Sequence, residues 1–302
     1  MKRREFVGTG LTVAAALSVA KPAVAAARQS QRTFTLKYAP HLGMFEKTAG
    51  ADPVAQIDYM AAQGFTAMED NEMAARPVAE QSRIGAAMTR HNMTMGVFVG
   101  ARIGWSDPNL TSGDAAKREA FLADIRSSVD VAKRVNAKWM TVVPDAYDQR
   151  LEWGYQTANC IDLLRRCAEV FEPHGLVMVL EALNWWSDHP GLFLHKVPQA
   201  YEICRAVDSP ACKILFDMYH QQITEGNIIP NINRAWGEVA YFQIGDNPGR
   251  NEPGTGEVNW RNIFRHIREK GYQGVLGMEH GNSKPDKAGE QAVIDAYVAA
   301  DS

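Results

Sequence analysis

Short apolar runs alternate with amphipathic stretches along most of the chain. Runs at 33–39, 65–68, 95–99, 138–143, 177–180, 213–216, 239–244 and 275–278 have the length and residue types of strands. Stretches at 52–64, 79–91, 115–135, 157–171, 197–207, 228–236, 260–270 and 287–300 carry their apolar residues at helical spacing. The clearest is 115–135, with Phe121, Ile125, Val129 and Ala132 on one face. Eight strand-then-helix units with no compositional break predict a parallel sheet. Eight such units in roughly 275 residues predict one α/β domain closed as a (β/α)8 TIM barrel. An open doubly wound sheet would carry a glycine-rich phosphate loop after its first strand, but the residues after Ala39 read PHLGMFEK.

Four successive apolar runs end on a polar side chain. The strand at 177–180 runs into Glu181, 213–216 into Asp217, and 275–278 into Glu279, while the strand at 239–244 carries Gln243 near its end. In a barrel, side chains at the C-terminal strand ends meet at one mouth. Three carboxylates brought that close repel one another unless a cation or protons intervene. Carboxylate and amide oxygens suit magnesium or manganese. A divalent ion, Mg2+ or Mn2+, is therefore expected among Glu181, Asp217, Gln243 and Glu279.

The stretch after the seventh strand, GDNPGRNEPGTGEVNW at 245–260, is a polar loop rich in Gly, Pro and Asn. No packing requirement calls for it, and binding residues concentrate in such loops. It carries Asp246, Arg250 and Glu257.

Charge and composition narrow the partners. The net charge is −3, with 46% hydrophobic and 22% charged residues, and there is no basic stripe for nucleic acid. The first 25 residues read as a separate object. Lys2, Arg3 and Arg4 precede a short apolar run and an A-x-A site at 23–25, the parts of an export signal of twin-arginine type. The expectation is a barrel domain at 26–302 located in the periplasm, with no membrane insertion after processing and with homo-oligomerisation open. Of four cysteines, Cys160 and Cys167 read as core, and a disulfide between Cys204 and Cys212 is open in an oxidising compartment.

EALN at 181–184, FDMYH at 216–220, FQIGDNPGRNEPGTGEVNW at 242–260 and GMEH at 277–280 resemble the hydroxypyruvate isomerase family, among the xylose isomerase-like barrels that include tagatose and psicose 3-epimerases. The resemblance is close over 177–281 and weaker but collinear over 34–143. It implies that Glu181 and Glu279 are catalytic glutamates that move a proton between adjacent carbons, and that Asp217 and Gln243 complete the metal ligands. It also implies substrate contacts from His220 and Arg250, and Asp246 and Glu257 of the same loop are further substrate-binding candidates, with Glu257 shaping the pocket wall. The implied reaction is isomerisation or epimerisation of a small α-hydroxy carbonyl compound, such as hydroxypyruvate or a ketosugar, through an enediolate. Ala182 stands where relatives usually have proline, and Trp185 and Trp186 add aromatic surface suited either to a sugar ring or to packing.

Two other readings use the same site: an exported lyase or hydrolase on keto-glycosides, and a catalytically silent sugar-binding barrel. Glu69 and Asp70 end the second strand and are candidates for the pocket rim, and Trp105 is a candidate lid residue. No G-x-S-x-G elbow is present.

Overall fold

The structure, a computed structural model, describes residues 33–302. The export signal expected at 1–25 lies outside the described residues. Eight parallel strands form one sheet: β1 (Lys37–Ala39), β2 (Ala67–Met68), β3 (Thr94–Val99), β4 (Ala137–Val142), β5 (Val177–Glu181), β6 (Cys212–Asp217), β7 (Val239–Gln243) and β8 (Val275–Gly277). Their order is β1-β8-β7-β6-β5-β4-β3-β2, so from β2 to β8 each strand neighbours the next in sequence and β1 pairs with β8. A single parallel bridge, His41 to Glu69, joins β1 to β2 and brings the cylinder nearly to closure. The expected barrel is the observed fold.

The core has two layers, as strand alternation requires. Val97, Val179, Leu215, Tyr241 and Val275 fill the inside of the cylinder together with Ala39, Ala67 and Val177. The larger cluster, with Phe98, Met140, Leu180, Phe216 and Phe242, lies between the strands and the surrounding helices. The inward positions fix what the mouth displays. Two residues past an inward Ala67, Val179, Leu215 or Tyr241 come Glu69, Glu181, Asp217 and Gln243. On the opposite strands the same step leads to Val99 on β3 and, from Trp139, to Thr141 on β4.

Differences from the sequence expectation have local causes. The first strand is shorter than 33–39 because Thr35 is held by Asp301, its N–H and hydroxyl donating to that carboxylate at 2.6 and 2.7 Å. The helix after β4 begins at Trp153. An additional helix, Met218–Thr224, follows β6 without a loop, because the Asp217 carboxylate accepts from the backbone N–H of Tyr219 (2.7 Å) and His220 (3.3 Å). Cys204 and Cys212 are both buried, and they stand as neighbouring free thiols. Among the described residues, no helix is long and apolar enough to cross a membrane.

Candidate active site at the barrel mouth

Glu181, Asp217, His220 and Glu279 each place one potential ligand atom within 4.8 Å of the others. Glu181 comes from the end of β5, Asp217 from the end of β6, His220 from the helix that Asp217 caps, and Glu279 from two residues past β8. Arg250, from the loop after β7, reaches across them. Its Nη2 lies 2.6 Å from Glu279 and 3.2 Å from Asp217, and its Nε donates to the Glu279 carbonyl at 3.2 Å. The guanidinium rests over the Tyr219 ring at 4.7 Å, and Arg250 holds a left-handed backbone with φ of 49°. For a residue other than glycine that conformation costs energy, and here it turns the guanidinium toward the acids.

Burial is the first cause of the unusual titration of these groups. It raises Glu181 well above the usual carboxylate range, with further repulsion from Glu279 and Asp217. Glu279 is also raised, by burial first and by Asp217, against the pull of Arg250. Burial alone would lower Arg250, but the carboxylates of Glu279, Asp217 and Glu181 outweigh it and raise the guanidinium. Burial, assisted by Arg250, lowers His220 to about 3, so its ring is neutral at ordinary pH.

The neutral ring has a defined tautomer. Asn184 Oδ1 accepts from the backbone N–H of Ser187 (2.9 Å) and Asp188 (3.2 Å), which makes its Nδ2 the donor. That Nδ2 lies 2.7 Å from Asp188 Oδ2 and 2.7 Å from His220 Nδ1. His220 Nδ1 is therefore an acceptor, and the ring proton sits on Nε2, facing Glu181 at 3.8 Å and Asp217 at 3.5 Å. Asn184 closes the EALN motif, but nothing in its residue type announced this role.

Gln243 completes the ring of strand ends. It is fully buried; its amide oxygen has no hydrogen-bond partner, and its amide nitrogen faces the Glu69 carboxylate without a bond of good geometry. A buried amide left unpaired costs about 1–3 kcal/mol. Three carboxylates and an orphaned amide oxygen form an all-oxygen donor set, which fits a hard divalent cation. Glu181, Asp217, Gln243 and Glu279 are the side chains that would hold it.

The other candidates from sequence divide. Asp246 is fully buried and faces its own loop, accepting from the N–H of Asn247, Gly254, Gly256 and Val258 at 2.9, 2.8, 2.9 and 3.2 Å. It shapes the loop that carries Arg250 and does not face the cavity. Glu257 is exposed and accepts from Asn247 and Gln222 at 3.1 and 3.2 Å, outside the cavity lining. Glu69 lies below the mouth rather than on its rim, buried inside the cylinder, where it accepts from the Tyr241 hydroxyl at 2.8 Å. A Cβ at Gly277 would collide with its carboxylate, which is why that strand needs glycine. Burial, then the charge of Glu279, raises Glu69 well above the carboxylate range. Asp70 turns away to pair with Arg76 at 2.5 Å.

The cavity over the mouth has a volume of about 670 Å3. Trp105 lines it, half-exposed, with its ring stacked on His189 at 5.0 Å. Trp185 packs instead, stacked on His195 at 4.1 Å with its indole N–H donating to the Leu192 carbonyl at 2.8 Å. Trp186 is exposed and outside the lining. Asn71, two residues past Glu69, donates to Glu279 Oε1 at 2.7 Å and was not apparent from the sequence.

A family model for the xylose isomerase-like TIM barrel matches residues 57–297. The chain belongs to that family. Within this xylose isomerase-like group, a hydroxypyruvate isomerase from Escherichia coli is 32% identical over 192 residues, covering 60% of this chain and 74% of that protein. A Danio rerio homologue is 38% identical over 127 residues, 42% of this chain. The chain spans 46% of the length of that homologue and 60% of that of a 2-oxo-tetronate isomerase from Pectobacterium atrosepticum. Among solved structures, a 3-keto-D-glucoside 4-epimerase from E. coli superposes with a TM-score of 0.72 at 21% identity, covering 88% of this chain and 98% of that one.

Proposed function

We propose that this protein is an isomerase or epimerase that moves a proton between adjacent carbons of an α-hydroxy carbonyl compound. The observation that carries the reading is the pairing of Glu181 and Glu279, reaching from β5 and β8 into one cavity beside Asp217 and His220. Relatives named hydroxypyruvate isomerase and 2-oxo-tetronate isomerase support it.

A bound divalent cation, Mg2+ or Mn2+, supplies Lewis-acid polarisation of the substrate carbonyl. The residues of the chain do the rest. His220 Nε2–H and the Arg250 guanidinium orient the substrate oxygens. One glutamate takes the proton from the carbon bearing the hydroxyl, which leaves an enediolate. The other returns a proton to the neighbouring carbon for isomerisation, or to the opposite face of the same carbon for epimerisation. In isomerisation the hydroxyl proton moves to the former carbonyl oxygen, so the formula is unchanged. Burial raises both carboxyl groups, and a bound cation would act in the opposite direction, so the two influences together would set how readily each gains and loses a proton.

Solvent exchange in heavy water, with Mg2+ or Mn2+ present, tests this reading. Deuterium should enter one carbon of the substrate, and Glu181→Gln or Glu279→Gln should lower exchange at least a thousandfold while substrate affinity stays within tenfold. Undiminished exchange in either variant overturns the role of that glutamate. A product of lower mass than the substrate moves the assignment to a lyase. Export through the twin-arginine segment is part of the same proposal, and delivery of a reporter fused to residues 1–25 into the periplasm tests it.

A further inference from the structure

Three loops meet on the β3–β5 side of the mouth: 100–114 after β3, 143–152 after β4 and 182–196 after β5. The outer two are both tied to the short segment 145–147. From the first loop, Gly104 and Leu110 donate their backbone N–H to the two carboxylate oxygens of Asp145, the second at 3.4 Å. Ala146 donates its N–H to the Gly104 carbonyl at 3.0 Å, and the Thr111 hydroxyl donates to the Ala146 carbonyl at 3.1 Å. From the third loop, the Phe193 N–H donates to the Asp145 carbonyl at 2.8 Å. The Tyr147 N–H donates to the Gly191 carbonyl at 3.0 Å, and Ala146 bridges to Leu192. Asp145 thus holds one loop with its side chain and the other with its backbone.

Packing alone does not call for an acid at this position. Asp145 is fully buried, and its backbone is left-handed with φ of 35°, which costs energy in a residue other than glycine. A Cβ at Gly104 would collide with the Asp107 carbonyl and crowd the Asp145 carboxylate, so the first loop approaches this closely only with glycine there. Beneath the loops, Val143, Leu183 and Leu192, with Ile103 against them, form an apolar cluster separate from the two core layers. Satellite clusters of this kind sit under long loops, and a unit with its own cluster can open without exposing the main core. On its inner face the unit carries Trp105 of the first loop stacked on His189 of the third at 5.0 Å, and both line the cavity. The His189 ring in turn lies 5.4 Å from that of His220. Asp145 itself does not line the cavity.

We infer that these three loops form one cover over the β3–β5 side of the mouth, which opens and closes as a unit, and that Asp145 is the positioning residue that pins them together. The cover holds the Trp105–His189 wall beside His220, whereas Asp217 and Glu279 belong to β6 and the end of β8, outside it. Loosening the pin therefore moves a wall of the cavity and leaves those acids in place. The inference rests on the proton-transfer reading for its kinetic readout only.

Amide hydrogen exchange on the whole protein tests it. In the wild type the protected amides of 101–112 and 183–193 should share one opening, with protection factors that agree within about threefold. Asp145→Gly accepts the left-handed backbone and removes only the carboxylate. It should quicken exchange at least about tenfold in both segments and leave β5 to β8 at wild-type rates. Asp145→Asn keeps one acceptor oxygen and should recover part of the protection in both. A larger difference between the segments in the wild type, or quickening confined to 101–112 in the Gly variant, overturns the single cover. Quickening that extends through the strands makes Asp145 a residue of general stability and overturns the pin. The kinetic readout uses protein loaded with Mn2+, hydroxypyruvate and solvent deuterium. KM should rise at least about fivefold in Asp145→Gly and less in Asp145→Asn, with kcat falling less than about threefold. An unchanged KM in the Gly variant removes the positioning role. Should the wild type place no deuterium in hydroxypyruvate, the proton-transfer reading loses that substrate, and the amide exchange decides the cover by itself.

Discussion

The side-chain nitrogen of Asn184 stands 2.7 Å from His220 Nδ1 and holds that ring nitrogen as an acceptor. The proton is thereby kept on Nε2, aimed at Glu181 and Asp217. Asn184 is a positioning residue in this arrangement. Nitrogen-15 spectra of the histidine ring should show the Nε2–H tautomer across pH 5–8 in the wild type. Asn184→Ala should release it to a mixture and lower kcat of the exchange reaction ten- to a hundredfold, with a smaller change in KM. An unchanged tautomer in the variant contradicts the assignment.

Gln243 gives a prediction with two signs. In metal-free protein its amide oxygen is buried without a partner. Gln243→Leu removes that burden and should raise the stability of the metal-free form by about 1 kcal/mol. The same variant loses a donor oxygen, so Mn2+ affinity should fall at least tenfold. Thermal melts with and without Mn2+ check both halves. A variant that loses stability without metal and keeps its affinity refutes the role.

Asp246 anchors the loop by accepting four backbone N–H groups. Asp246→Ala leaves those donors without their buried acceptor and should cost about 2–4 kcal/mol. Hydrogen exchange should quicken over 247–258, and activity should fall because Arg250 loses its fixed backbone. Exchange rates like those of the wild type in that segment exclude this anchoring role.

His280 makes part of the stability dependent on pH. Its Nδ1 donates to the Gly281 carbonyl at 2.7 Å, and its Nε2 accepts from the Tyr297 hydroxyl at 2.9 Å. Burial lowers it to about 4, and a proton on Nε2 breaks the bond from Tyr297. The unfolded chain takes up this proton near the ordinary value of about 6.5. The contribution is therefore fully present above about 6.5 and is lost as pH falls toward 4, by up to about 3 kcal/mol. His280→Gln should flatten the pH dependence of Tm across that window. A wild-type and variant difference that does not change with pH refutes it.

The strand ends were legible because an acid closing an apolar run has no packing reason to be there. Glu181, Asp217 and Glu279 follow from that alone once eight alternating units imply a barrel. Asp246 shows the limit. From sequence an acid in a Gly- and Pro-rich loop looks like a ligand contact, yet its oxygens are occupied by N–H groups up to twelve residues away. Trp185 similarly faces His195, because ring packing is decided by the loop's path and not by residue type. Asn71, Thr141 and Asn184 escaped notice because neutral polar residues are common at turns and strand ends. Only the geometry shows which of them lack a partner and which fixes another side chain.

The sheet is joined between β1 and β2 through one bridge, His41 to Glu69, while the other neighbouring strands are bonded in ladders. Local opening follows the fewest bonds broken, so the cylinder is cheapest to part along this seam. Asn71 lies just past that edge, whereas Glu181, Asp217 and Gln243 sit on strands stitched to their neighbours. A guest that spreads the wall there pulls on Asn71 and its bond to Glu279, while Glu181, Asp217 and Gln243 stay on their ladders.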